Sequence, residues 1–80
     1  MTGKVSELIR LHFPEDQQQR VADALFSLEP EHVMARSDTN LENTRLAILK
    51  LSQGNLQQVI YFTEKAKVDF RDVILWAGQH

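Results

Sequence analysis

The residues of this chain that could do chemistry are three histidines, His12, His32 and His80, and two pairs of close acids, Glu29 with Glu31 and Asp69 with Asp72. A zinc site built on a helix needs imidazoles on one side, most simply two histidines four apart. No two of these histidines have that spacing. Glu31 and His32 are adjacent, so a helix would aim them in different directions. There is no cysteine to complete a ligand set, form a disulfide or act as a thiol nucleophile. No metal and no other cofactor is therefore expected, and His12 reads as a core or rim histidine with a hydrogen-bonded ring.

Paired carboxylates can share a proton and serve as general acid and base. Asp69 and Asp72, however, have the spacing of a helix N-cap and its third residue, which accounts for them without catalysis. Ser6, Ser27, Ser37 and Ser52 stand in no nucleophile motif. The three glycines, at 3, 54 and 78, make no phosphate-cradling loop. The chain is expected not to be an enzyme, and no small-molecule ligand is predicted.

Polar readout of nucleic acid is the next chemistry to weigh. "TRLAILKLSQGNLQQVIYFT" has the outline of a helix-turn-helix over 40–52 and 55–67, with Gln57 and Gln58 on the second helix, and glutamine can read adenine edges. Lys50 stands where such a motif packs a small residue. The second helix offers no arginine, and the formal net charge is −2. That charge gives no phosphate attraction, so DNA binding is the alternative reading and not the first one.

The elements that would carry these residues are helices. Pro14 and Pro30 each suit a first helical turn, followed by Glu15 and Asp16 or by Glu31 at the positive end of the helix dipole. Thr39 with Glu42 has capping-box spacing, with Asn40 an equally good cap. Asn55 with Gln58 repeats it after Gly54, and Asp69 with Asp72 repeats it again. The pattern predicts about five short helices and a short further piece, near 4–12, 15–28, 30–36, 40–52, 55–67 and 70–77. No stretch alternates with period two, so no sheet is expected. Eighty residues, 42% hydrophobic and 25% charged, suit one small all-α domain spanning 1–80. The opening "MTGKVSELIRLHF" is too polar for a signal-peptide core, and no apolar run approaches membrane-spanning length. A cytoplasmic protein with no membrane partner is the expectation.

Turning about 100° per residue sorts each helix into faces. Val5, Leu8 and Ile9 share a stripe with His12, and Leu11 lies at its edge. Val21, Ala24, Leu25 and Leu28 face away from Arg20, Asp23 and Ser27. Over 40–52, Leu41, Leu46, Ala47, Ile48, Leu49 and Leu51 spread round most of the circumference, which marks this helix as central. Arg45 falls on that apolar arc. It must either snorkel outward or meet a carboxylate, with Glu42, Asp69 and Asp72 as candidates.

In the next helix Leu56, Val59, Ile60, Phe62, Thr63 and Ala66 form the inner face. Gln57, Gln58, Glu64 and Lys65 form the outer one, with Tyr61 in its middle. In the last, Phe70, Val73, Ile74 and Ala77 face inward, Leu75 lies opposite beside Arg71 and Asp72, and Trp76 lies at the flank. Tyr61, Leu75 and Trp76 thus exceed what the inward stripes need, and tyrosine and tryptophan are enriched where proteins meet. The sequence accordingly predicts a small interaction protein, binding a protein partner or forming a homodimer. Its contact surface would comprise Tyr61, Leu75 and Trp76, with Gln57, Gln58 and Arg71 as a polar rim. The competing account inserts the last helix between others and buries Leu75 and Trp76 in the chain's own core.

"RLAILKLSQGNL" and "AKVDFRDVILWAG", together spanning Arg45 to Gly78, resemble a set of short, uncharacterised bacterial proteins. Those share an "LA-x-LKL-x-x-G-[ND]-L" segment and a C-terminal "AK-x-D-[WF]-RDVL" segment. The resemblance implies a small, independent cytoplasmic protein of bacterial type, and it carries over no activity, cofactor or site residue.

Overall fold

Local capping rules and two prolines divide the chain into helices, and the computed structural model, which describes residues 3–33 and 38–79, shows where each one ends. Helix α1 covers Gly3–His12 and α2 covers Glu15–Phe26. A 3-10 turn follows at Pro30–Val33, then α3 at Asp38–Ser52 and α4 at Leu56–Gln79. Among the described residues there are four α-helices and no strand, an all-α architecture. Its radius of gyration, 11.3 Å, matches the ~12 Å expected of one packed unit of this length.

Several boundaries differ from the sequence expectation. The two helices expected near the C-terminus are the two arms of α4, which runs to Gln79 and departs from helical dihedrals at Asp69, with φ −154° and ψ 102°, where the last helix was expected to begin. The piece expected at 30–36 is a single 3-10 turn, and residues 34–36 lie outside the described residues. Helix α3 begins two residues before the expected position 40. Asn40 is inside it and gives its carbonyl to the Thr44 hydroxyl at 2.7 Å, while the side chain of Thr39, the other expected cap, is outside the described residues. Helix α2 stops at Phe26 and not at 28. Its last turn tightens, with Ser27 N–H donating to the carbonyls of Asp23 and Ala24 and Leu28 N–H donating to Leu25.

The core collects the predicted stripes. Val5, Ile9 and Phe13 come from the α1 end, and Val21, Leu25 and Leu28 from α2. Helix α3 gives Leu41, Ala47, Ile48, Leu49 and Leu51, and α4 gives Val59, Ala66, Val73 and Ala77. Helix α3 packs on α1, α4 and the 3-10 turn, and it also buries Thr44 and Ser52. Both hydroxyls donate to the carbonyl four residues back, Ser52 to Ile48 at 2.6 Å, so each presents a satisfied and nearly apolar surface. His12, expected in the core or at its rim, is exposed at the last turn of α1. Helix α1 ends there, and the His12 carbonyl faces the turn between α3 and α4. At Gly54, with φ +79°, a Cβ would sit 2.9 Å from the His12 oxygen, so this turn needs glycine for both its dihedral and its close approach.

Candidate contact surface

The surface is carried by α4, whose start is set by Asn55. The Asn55 side-chain oxygen accepts the Gln58 N–H at 3.2 Å, and its carbonyl accepts the Val59 N–H. From there Val59, Thr63 and Ala66 turn into the core. Gln57, Gln58, Glu64 and Lys65 are exposed with Tyr61 among them. The Lys65 ammonium lies 5.4 Å from the Tyr61 ring centre, and Lys67 reaches Glu64 at 3.4 Å.

Asp69 then turns the chain. Its carboxylate accepts the Arg71 backbone N–H at 3.0 Å and the Arg71 guanidinium through both oxygens, at 3.1 and 3.2 Å. These bonds from Arg71 hold the Asp69 carboxyl below its usual range, and Asp69 in return raises the Arg71 guanidinium above its own. Asp72 is exposed beside this pair and adds its charge to the Arg71 environment. The bend is sharp. Phe62 and Trp76 would stand about 21 Å apart along a straight helix at 1.5 Å per residue, yet their ring centres are 6.2 Å apart. Tyr61 lies edge to face with Phe62 at 5.1 Å on the first arm, and the Phe62–Trp76 contact joins the two arms of α4.

The expected contact residues therefore separate into two groups. Tyr61 and Leu75 are 51% and 57% exposed. Trp76 is half-buried against the core, which makes it a link between fold and surface and not a free anchor. Gln57, Gln58 and Arg71 are exposed around them. Ile60 and Ile74, assigned inward by periodicity, are exposed, because each lies about 100° round its arm from the most buried residue, Val59 or Val73, at the edge of the buried stripe. Val68, 86% exposed, is a surface residue that the sequence reading passed over. Its signal was present, since Val68 lies seven residues after Tyr61 and three after Lys65, on the same helical face.

Arg45 reaches back to the end of α2. Its Nε donates to the Leu25 carbonyl at 3.1 Å and a terminal nitrogen donates to Leu28 at 3.0 Å, with the guanidinium 5.3 Å from the Phe26 ring centre. Asp69, one of its candidate partners, is engaged by Arg71 instead. Arg45 thus holds the open carbonyls at the negative end of α2, a cation where the dipole favours one.

The described residues also form an acidic pair and several clefts. Glu31 is raised above its usual value by a hydrogen bond and charge from Glu29, while His32 accepts the Glu29 N–H on Nδ1 at 2.9 Å. Glu31 and His32 line a cleft of about 270 Å³ at the bend with Lys67, Val68, Asp69 and Arg71. Lys67 and Arg71 are already engaged by Glu64 and Asp69. A second cleft of about 270 Å³ lies between α1 and α3 over Leu8, Leu46 and Leu49, with His12 and Lys50 at its edge. Both are below the ~300–1,000 Å³ usual for ligand sites, whereas open clefts of about 310 Å³ between α1 and α2 and about 420 Å³ beside His12, Leu49, Lys50 and Gln53 reach the low end of that range. Among the described residues no group of three or more His, Asp or Glu side chains could hold a metal ion, and no helix is long and apolar enough to cross a membrane. No protein-family model, curated protein or solved structure matches the chain.

Proposed function

We propose that this chain is a small helical interaction protein whose first partner is a second copy of itself, bound through the outer side of α4. The observation that carries this reading is the number of exposed apolar side chains on the two arms of α4: Ile60, Tyr61 and Val68 before the bend, and Ile74 and Leu75 after it. Isolated apolar groups on a surface need no explanation, but several on one element of so small a domain do. The charges around them have both signs, Lys65 and Arg71 against Glu64 and Asp72. A two-fold contact sets a surface against itself, and mixed charge is what lets such a surface match its own copy. A stable pair needs roughly 500 Å² from each partner, about a tenth of the 5123 Å² this chain exposes. The resemblance to short bacterial proteins is compatible with this role and adds no activity to it.

Light scattering behind size exclusion tests the reading. Wild type is expected to form a dimer at high concentration. Tyr61→Ala and Leu75→Ser are expected to run as folded monomers, with stability within about 0.5 kcal/mol of wild type because both residues are exposed. Trp76→Ala is the contrasting variant. It removes a half-buried ring packed on Phe62 and is expected to cost about 2 kcal/mol of stability. A wild type that stays monomeric throughout would sink the proposal. The exposed Gln57 and Gln58 favour a second reading, contact with DNA through the start of α4. A flat titration with duplex DNA at low salt would dispose of it.

A further inference from the structure

We infer that Asp69 is a hinge, and that the arm Phe70–Gln79 exchanges between two copies of the chain when this hinge straightens. Within Leu56–Gln79, Asp69 alone leaves helical dihedrals. Its neighbours Lys67, Val68, Phe70 and Arg71 include no glycine or proline, so nothing covalent obliges the chain to turn here. Two things hold the bend. One is the exposed Asp69–Arg71 pair with its backbone cap. The other is the burial of Val73 and Ala77, with Phe70 and Trp76 packed against the core.

With Asp69 helical, α4 becomes one rod of 24 residues, about 36 Å long at 1.5 Å per residue. The folded body measures 31 Å along its longest axis. A straight α4 therefore projects beyond the body, carries Val73 and Ala77 into water, and leaves their seat open. The surface that fits this seat is the same arm of another copy, which loses its own seat by the same movement. The exchanged pair keeps the buried contacts of the monomer and replaces two bends with two continuous helices. The balance between the two states is then set by the hinge and by the entropy of association. This exchange uses the buried side of the arm, whereas the association proposed above uses its outer side. Leu75→Ser should remove that association and leave the exchange intact.

The test is made in a Leu75→Ser background. Asp69→Ala deletes the cap and favours helix at the hinge, and two hinges change in each dimer, so the dimer dissociation constant should fall on the order of 30-fold. Asp69→Asn keeps an N-capping side chain but loses the ion pair with Arg71, and should fall between the parent and Asp69→Ala. The natural chain has no cysteine, so exchange can be read directly. One chain carrying Phe62→Cys is mixed with another carrying Trp76→Cys, both with Asp69→Ala, and treated with a short bis-maleimide. Those two positions touch within a chain, so an exchanged dimer joins the two different chains. A dimer that gives this product supports the hinge. An Asp69→Ala protein that stays monomeric, or a dimer without the product, overturns it. Should Asp69→Ala not fold, the same cysteine pair is co-refolded at high concentration with Asp69 retained. A product between unlike chains then supports the hinge, and its absence overturns it.

Discussion

Arg45→Met is the sharpest test of how this small fold is tied together. Methionine keeps an unbranched stem and deletes every donor. Two bonds disappear, Nε to the Leu25 carbonyl at 3.1 Å and a terminal nitrogen to the Leu28 carbonyl at 3.0 Å. A hydrogen bond from a charged donor contributes about 1.5–3 kcal/mol. Two factors reduce the sum. The Leu25 carbonyl also accepts the Leu28 N–H, and Arg45 is only half-buried, so water can replace part of what is lost. The stacking on Phe26 is itself half in solvent and adds no more than about 0.5–1 kcal/mol. The expected loss is about 2–3 kcal/mol, and further contacts of Arg45 add to it. For a domain of this size each kcal/mol moves the melting temperature by about 4–8 °C, so a fall of about 10–20 °C follows. Urea and thermal unfolding followed by helical circular dichroism measure it. Arg45→Lys supplies one point donor in place of a planar fork and should recover half or less. A loss below about 0.5 kcal/mol in Arg45→Met, or full rescue by lysine, would refute the view that a guanidinium on α3 holds the end of α2.

Adjacent residues in the α3–α4 turn should respond with opposite signs. Gln53 and Gly54 both have positive φ, 49° and 79°. Gln53→Gly should stabilise by about 0.5–1 kcal/mol by relieving a left-handed non-glycine residue. Gly54→Ala should destabilise by about 2 kcal/mol, because the new Cβ meets the His12 oxygen at 2.9 Å. Equal signs in a urea titration would be inconsistent with this turn. The Asp69 carboxyl is held down in the fold by Arg71, so its stabilisation is present above the ordinary carboxylate value. It is lost as pH falls through the lower folded value. Melting temperatures of wild type and Asp69→Asn should therefore differ at neutral pH and converge on acidification below about pH 4. Parallel curves would show that the pair does not contribute.

Much of the fold could be read locally. Asn55 and Asp69 cap the segments that follow them, through bonds spanning three residues and two. Gly54 sits where only its dihedral freedom and small size fit. The stripes of Val21 with Leu25, and of Val59 with Ala66, enter the core where a 3.6-residue period puts them. The same reasoning failed where a residue's fate depended on a distant element. His12 read as inward because periodicity cannot tell that α1 ends at it, beside the turn containing Gly54. Ile60 and Ile74 also read as inward, since periodicity cannot tell how wide a stripe the neighbouring elements cover.

The sequence by itself determined that the chain is helical, where most helices begin, and which turn needs a glycine. These properties arise from hydrogen bonds and dihedral preferences spanning at most a few residues. The tertiary structure decided the rest. It placed Arg45 on the carbonyls of Leu25 and Leu28, twenty and seventeen residues away, where no local rule reaches. It half-buried Trp76 against Phe62 while leaving Leu75, its neighbour, 57% exposed. That last division depends on the φ and ψ of Asp69. Two dihedrals at one residue direct every side chain beyond it, and packing against the body, not the preference of the residue alone, selects their values.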